Sequence, residues 1–285
     1  ILSLEYHRQF SHSLFFIPFG ALIVALLIFP LVKKSMNLKT VYMASFLGYA
    51  THGLLDACTS YGTLLFWPFS NERVTWNNIS IVDPLFTIPA LILVGTAIKT
   101  KKRVFSFFSI GWIIFYLSLG FVQYERALTA AYDLAESRGH NPERLTLKPS
   151  FGNLILWKSI YQHEQTFYVD AIRTVQSSTV CLGESTEIFD YQQHLPSLDK
   201  ESQQAIDVER FRWFSQNYLG FDEEKNLVTD VRYSMLPNQI EPMWGLVIDD
   251  MQDTNQHAIW WTGRDLDQRE WDLFVDMLSG KECGK

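Results

Sequence analysis

The sequence predicts an α-helical polytopic membrane domain of about four transmembrane helices, followed by a small α+β extracytoplasmic domain. Three observations lead there. The 285 residues average to an unremarkable 47% hydrophobic and 19% charged, but the two halves differ. Residues 1–123 carry nine Lys+Arg and four acids (Glu5, Asp56, Glu72, Asp83), a net +5, whereas residues 124–285 carry the other fifteen bases and twenty-seven acids. Long apolar runs lie only in the first half, and mixed strand and helix patterns only in the second. A basic apolar half joined to an acidic polar half excludes a purely soluble enzyme, a disordered chain and a nucleic-acid binder driven by overall basicity.

The elements follow in order. Ser13–Val32 is long and uncharged enough to span a bilayer, without the small-residue cleavage pattern of a signal peptide. Thr40–Phe69 is apolar but holds His52 and Asp56. As one helix of thirty residues it would run about 45 Å, beyond a hydrocarbon core of about 30 Å. The Thr59-Ser60-Tyr61-Gly62 cluster is therefore expected to end a helix near Cys58, with a loop or re-entrant turn through Pro68. Ile79–Ile98 and Val104–Gln123 complete the set. Lys33, Lys34 and Lys39, then Lys99, Lys101, Lys102 and Arg103, form acid-free clusters after the first and before the last of these runs. The positive-inside rule assigns both clusters to the cytoplasm, which puts residues 1–12, residues 59–80 and everything after Gln123 outside.

The outer part divides into an amphipathic helix and linker at 124–150 and a periplasmic α+β domain at 151–285. Leu154–Tyr161 and Thr166–Arg173 read as a hairpin, Ser202–Tyr218 as a helix, and Leu227–Met235, Met243–Asp250 and Ala258–Thr262 as strands. Leu266–Leu278 reads as a last helix. The chain opens on Ile1, which predicts an upstream segment. Cys58, Cys181 and Cys283 form no CxxC; Cys181 and Cys283 are free to pair if the second half lies in an oxidising compartment.

Titratable residues inside or beside apolar spans are costly and therefore functional candidates. His52 and Asp56 stand four apart on one helix face, about 6 Å along the axis. His7 and His12 bracket the outer start of the first span and converge only if His7 sits in the preceding turn and His12 in the first turn. Three imidazoles and a carboxylate form a candidate set for a divalent metal, zinc first and manganese second. Asp56 and Asp83 are the candidate catalytic carboxylates, and Arg8 and Arg73 candidate clamps for an anionic substrate. Plainer roles stay open. His52–Asp56 also fits a structural hydrogen-bonded pair, Asp83-Pro84 an N-cap followed by Pro at N1, and the arginines headgroup anchors. His140, His163, His194 and His257 are scattered in sequence. HExxH, GxSxG and GxxxxGK[ST] are absent.

At these residues the sequence resembles the membrane-bound metal-dependent hydrolases of bacteria, the YdjM-like group that is LexA-regulated in some members. His7–Ser13 (HRQFSHS) is similar to that family's HRGxTHS pattern, with Gln9 replacing the usual Gly. Gly48–Ser70 (GYATHGLLDACTSYGTLLFWPFS) is similar to its G-Y-x-x-H-x-x-x-D-x-x-T block, and Ile81–Pro84 to a further Asp-Pro element. The resemblance covers about the first hundred residues. It implies metal ligation by His7, His12, His52 and Asp56, a distant similarity to zinc-dependent phospholipases C, and an upstream Pro-Asp-x-Asp element supplying further carboxylates.

The functional expectation is an inner-membrane metal-dependent hydrolase at the periplasmic membrane face, with the bilayer as partner and a lipid phosphodiester or ester as substrate. Nucleic acid is not expected as a partner, and composition sets no oligomeric state. The alternative is a non-enzymatic, membrane-anchored stress-response or interaction protein with a structural metal or none.

Overall fold

The computed structural model describes residues 6–249, 253–265 and 267–281. Asp250, Leu266 and Cys283, which end three of the expectations above, lie outside the described residues. The chain divides into two compact units, Tyr6–Leu117 and the part from Ser118 onward, and one helix contributes to both.

The first unit starts with a 3-10 turn at Phe10–His12, then α1 (Ile17–Val32), α2 (Leu38–Cys58), α3 (Pro84–Thr100) and the beginning of α4 (Arg103–Ser137). Ser13 closes the 3-10 turn: its hydroxyl donates to Phe10 O and accepts from Phe16 N, which delays helix α1 to Ile17. Asn37 caps α2, its side chain accepting from Thr40 N. Small residues let α1 and α2 approach. Ala21 and Ala25 are wholly buried, and a Cβ at Gly20 would fall 2.6 Å from the Tyr49 ring. The outward surface stays apolar, with Leu27 72%, Leu31 84% and Phe107 70% exposed, as a lipid-facing surface requires.

Among the described residues one helix, α4, is long and apolar enough to cross a membrane by length and composition. Helix α1 has 16 residues and α3 has 17, about 24 to 26 Å at 1.5 Å per residue, short of the hydrocarbon core. The expectation of about four full-length spans is thus met by one helix. The shortfall has a local cause: the turn at 13–16 and the extended residues before Pro84 take apolar residues out of the helices.

Residues 59–83 are irregular but pinned. Leu64 N donates to Arg8 O, and Leu14 N to Leu65 O. Thr63 and Val74 form an antiparallel bridge, the Trp67–Pro68 peptide is cis, and Leu64 and Leu65 are buried. Beyond them, Trp76 N reaches Ala57 O, and Asn78 N reaches Cys58 O, so the loop caps the end of α2.

The second unit holds two antiparallel four-stranded sheets in sequential order. The first is β1 (Arg144–Pro149), β2 (Leu156–His163), β3 (Thr166–Thr174) and β4 (Ser178–Glu187). After the short α5 (Tyr191–His194) and α6 (Gln203–Phe214) come β5 (Leu219–Asp222), β6 (Leu227–Asp230), β7 (Trp244–Val247) and β8 (Ile259–Thr262), then α7 (Gln268–Ser279). Helix α4 does not stop near Gln123. It continues to Ser137 through the stretch expected to be a separate amphipathic helix, and β1 occupies much of the expected linker. Ala127 and Ala131 pack against Leu147, Trp157 and Ile172; small side chains there let the helix lie close on the sheet. Leu156, Ala171 and Cys181 meet Phe274 and Met277 of α7, whose start is fixed by the Asp267–Glu270 capping box. Cys181 is disulfide-bonded and Cys58 is a free buried thiol.

Buried charge marks this unit. A register shift between Val169 and Ala171 presents Asp170 to Arg138, which grips it with two bonds of 2.7 and 2.8 Å. Arg232 donates to Asp230 at 2.7 and 2.8 Å. Lys148 and Lys158 face each other across β1 and β2. Burial drives Lys148 well below its ordinary value and Lys158 down to about 7. Lys158 donates to Ser234 Oγ and Gln239 O at 2.7 and 2.6 Å. The histidines scattered in sequence are not all apart: His140 and His163 stack at 4.4 Å, with His140 Nδ1 2.9 Å from the Tyr161 hydroxyl.

Candidate metal centre

Helix α2 contributes two groups one turn apart. His52 Nε2 lies 3.6 Å and His12 Nε2 3.2 Å from Asp56 Oδ2, and the two rings are 4.7 Å apart. Among the described residues, His12, His52 and Asp56 form a set of three whose ligand atoms all lie within 4.8 Å of one another. The edge of a tetrahedron with metal–ligand bonds near 2.0–2.1 Å is about 3.3 Å, so the two shorter separations need little adjustment to share one ion. Two imidazole nitrogens and a carboxylate oxygen suit zinc, with a fourth position for water or substrate. His52 is 62% exposed and forms the open side.

Local sequence explains how the 3-10 turn reaches α2. Gly53 follows His52, and a Cβ there would lie 2.7 Å from the His12 carbonyl oxygen; only glycine admits that approach. Ser11 Oγ sits 2.9 Å from His12 Nδ1, leaving Nε2 to face Asp56. Such a partner on the far ring nitrogen fixes tautomer and orientation in metal-binding histidines. Arg8 holds the other carboxylate oxygen, with Nη2 3.4 Å from Asp56 Oδ1 and Nη1 donating to Thr59 Oγ1 at 2.7 Å.

The other expected site residues sit elsewhere. His7 lies outside the three-residue set, its ring edge-on to Tyr61 at 4.8 Å; burial first, then Arg8, push its imidazole below the ordinary range. Arg8, between His7 and the 3-10 turn, adopts the left-handed φ of 57°. Arg73, the candidate clamp or headgroup anchor, is 4% exposed and donates to Gly62 O at 2.9 Å. Asp83 caps α3 by accepting from Phe86 N at 3.1 Å, and its second oxygen accepts from the Tyr116 hydroxyl at 2.8 Å. Both of its oxygens are engaged away from the cluster. Ser11 was not singled out in the sequence, although its place beside His12 was the available signal. A groove of about 530 Å³ between α1 and α2, lined by Val24, Ile28, Val32, Val41, Tyr49 and His52 among others, opens beside the cluster.

No curated protein and no solved structure matches the chain. Residues 1–127 match the family model described as YdjM inner membrane protein, which spans the 3-10 turn, all three residues of the cluster and the apolar part of α4. The part of the chain that holds His12, His52 and Asp56 is therefore the part that is similar to the YdjM inner membrane protein family.

Proposed function

We propose that the chain is a multi-pass inner-membrane protein with a divalent-metal centre at His12, His52 and Asp56. The centre faces the periplasm and hydrolyses an ester or phosphodiester of a lipid. The convergence of three ligand atoms within 4.8 Å carries the reading. Zinc fits the donor set best, with manganese as the substitute. When bound, such an ion supplies Lewis-acid polarisation of the scissile group and lowers the pKa of a water. The chain's own groups do the rest. Ser11 and Gly53 fix His12, Arg8 orients Asp56 and places a positive charge beside an incoming phosphoryl or carboxyl group, and His52 keeps one side open. The apolar groove ending at His52 supports a substrate with a hydrocarbon tail. The lysine clusters at 33–39 and 99–103 support a cytoplasmic position for those loops and a periplasmic one for the sheets.

A second reading is favoured by one observation: Arg8 pairs with one oxygen of the Asp56 carboxylate at 3.4 Å, and the two imidazoles lie 3.2 and 3.6 Å from the other. The cluster would then be a structural network in a non-enzymatic interaction protein. Metal content of the detergent-purified chain, beside a His12→Ala/His52→Ala variant, separates the two. Near-stoichiometric zinc or manganese lost in the variant, with lipid phosphodiester or ester hydrolysis lost alongside, supports the hydrolase. No metal after reconstitution with zinc and manganese refutes it.

A further inference from the structure

We infer that two loops of the first sheet, Ser150–Ile155 and Val175–Ser177, insert into the outer headgroup layer of the bilayer, with Phe151 as the principal anchor. The inference rests on the reading that α4 crosses the membrane, and on four observations within the second unit.

The exposed apolar surface of α4 has a sharp end. Leu119, Phe121 and Val122 are exposed, whereas Gln123 is buried and the helix turns polar at Glu125 and Arg126. The turn after β3 is fastened at that level. Gln123 Nε2 donates to Thr174 O at 2.8 Å, and Arg126 Nη2 donates to Val175 O at 2.7 Å and Gln176 O at 3.1 Å. The neighbouring loop is tied to the same turn, since Thr174 N donates to Ile155 O at 2.7 Å. At their tips the loops present apolar side chains to the outside: Phe151 is 57% and Val175 38% exposed.

Dimensions decide what these side chains meet. Val122 to Arg126 is about 6 Å along a helix axis, and the headgroup region adds about 5 to 7 Å on each side of the hydrocarbon core. Loops bonded to residues 123 and 126 therefore lie inside that layer if Val122 is the last residue in hydrocarbon. An exposed Phe and Val are poorly placed in water but suited to this depth, where aromatic rings and cationic side chains collect. Arg126 fits the same depth. Its guanidinium is engaged with backbone carbonyls and the Gln123 side chain, so it serves to fix the turn. The occupant is the bilayer that α4 itself crosses.

Site-directed spin labelling of the full chain in phosphatidylcholine/phosphatidylglycerol vesicles tests this. Single cysteines are placed by Phe151→Cys, Gln165→Cys and Phe115→Cys in a Cys58→Ser background, and collisions with oxygen and with a nickel chelate are compared. Gln165 lies in the turn at the far end of the hairpin and is exposed; Phe115 is an exposed apolar position of α4. The expected result is an oxygen-to-nickel ratio at 151 several-fold above that at 165 and below that at 115. A ratio at 151 equal to that at 165, with 115 still favouring oxygen, overturns the anchoring while leaving the span intact. Water-like values at both 151 and 115 overturn the span and the anchoring with it.

Discussion

Replacing Gly53 with alanine puts a methyl group where the chain brings the His12 carbonyl. The new Cβ would stand 2.7 Å from that oxygen, against 3.4 Å for the start of ordinary contact. The turn carrying His12 must retreat by about 0.7 Å, or the helix must yield by as much. His12 Nε2 is 3.2 Å from Asp56 Oδ2, so a shift of that size moves one of the three proposed ligands well outside the roughly 0.2 Å tolerance of metal–ligand bonds. Losses from misplacing a ligand's support run at about 10- to 100-fold in metal affinity, or about 1.4 to 2.7 kcal/mol. Zinc affinity by chelator competition in detergent is the assay. Gly48→Ala on the same helix is the reference, because a Cβ there meets nothing within 4 Å; it should leave affinity unchanged and gain up to about 1 kcal/mol in helix stability. Equal zinc affinity in Gly53→Ala and Gly48→Ala, both folded, would refute the claim that Gly53 sets the position of His12.

Three further outcomes are expected. Lys158 titrates near 7 when folded against an ordinary 10.5, so between those values the unfolded chain binds more protons and stability rises with pH. From pH 6 to 8.5 the gain is about 2 kcal/mol; Lys158→Met should lose that slope in guanidinium unfolding followed by near-ultraviolet circular dichroism, and parallel curves would contradict it. Asp83→Ala should cost about 1 to 3 kcal/mol through the lost cap and the unpaired Tyr116 hydroxyl, seen as a lowered thermal midpoint with metal content intact; loss of metal would contradict this purely structural role. Arg138→Met leaves Asp170 buried without its cation and should cost about 3 to 5 kcal/mol, most of it recovered in Arg138→Met/Asp170→Leu. A double variant no better than the single one would show that the pair does more than neutralise itself.

What the sequence disclosed depended on range. His52 and Asp56 share a helix face by spacing alone, and the helix that ends at Cys58 was expected from its length and from the polar cluster after it. The apolar runs located α1, α3 and α4, but with bounds set by hydropathy rather than by hydrogen bonding; the first two of these helices start at Ile17 and Pro84, four and five residues into their runs. The chain turns left-handed at Arg8, between His7 and the 3-10 turn, which composition does not reveal. Arg73 shows how a charge expected at a membrane surface can be consumed by backbone carbonyls in a buried loop. Strand β1 was hidden because Arg144–Pro149 offers only Leu145 and Leu147 as apolar alternation between two breakers. His140 and His163 lie 23 positions apart and meet only because β1 pairs with β2 and the chain doubles back. Hydropathy divides helix α4 at Gln123, where its surroundings change from an apolar surface to a sheet, while its backbone runs on unbroken.

That continuity fixes where the sheet-bearing part of the chain can be cut out. The last turns of α4 are a wall of the sheet's interior: Ala127, Ala131 and Ala135 are wholly buried, as are Leu147, Trp157 and Ile172. A fragment beginning at Gly139, the obvious breaker, would leave the Trp157 and Ile172 face open to solvent and prone to self-association. One beginning at Gln123 keeps both the wall and the bond to Thr174 while shedding Phe107, Ile114 and Val122. The usable cut therefore falls in the middle of a helix, sixteen residues before the first glycine that would ordinarily suggest it.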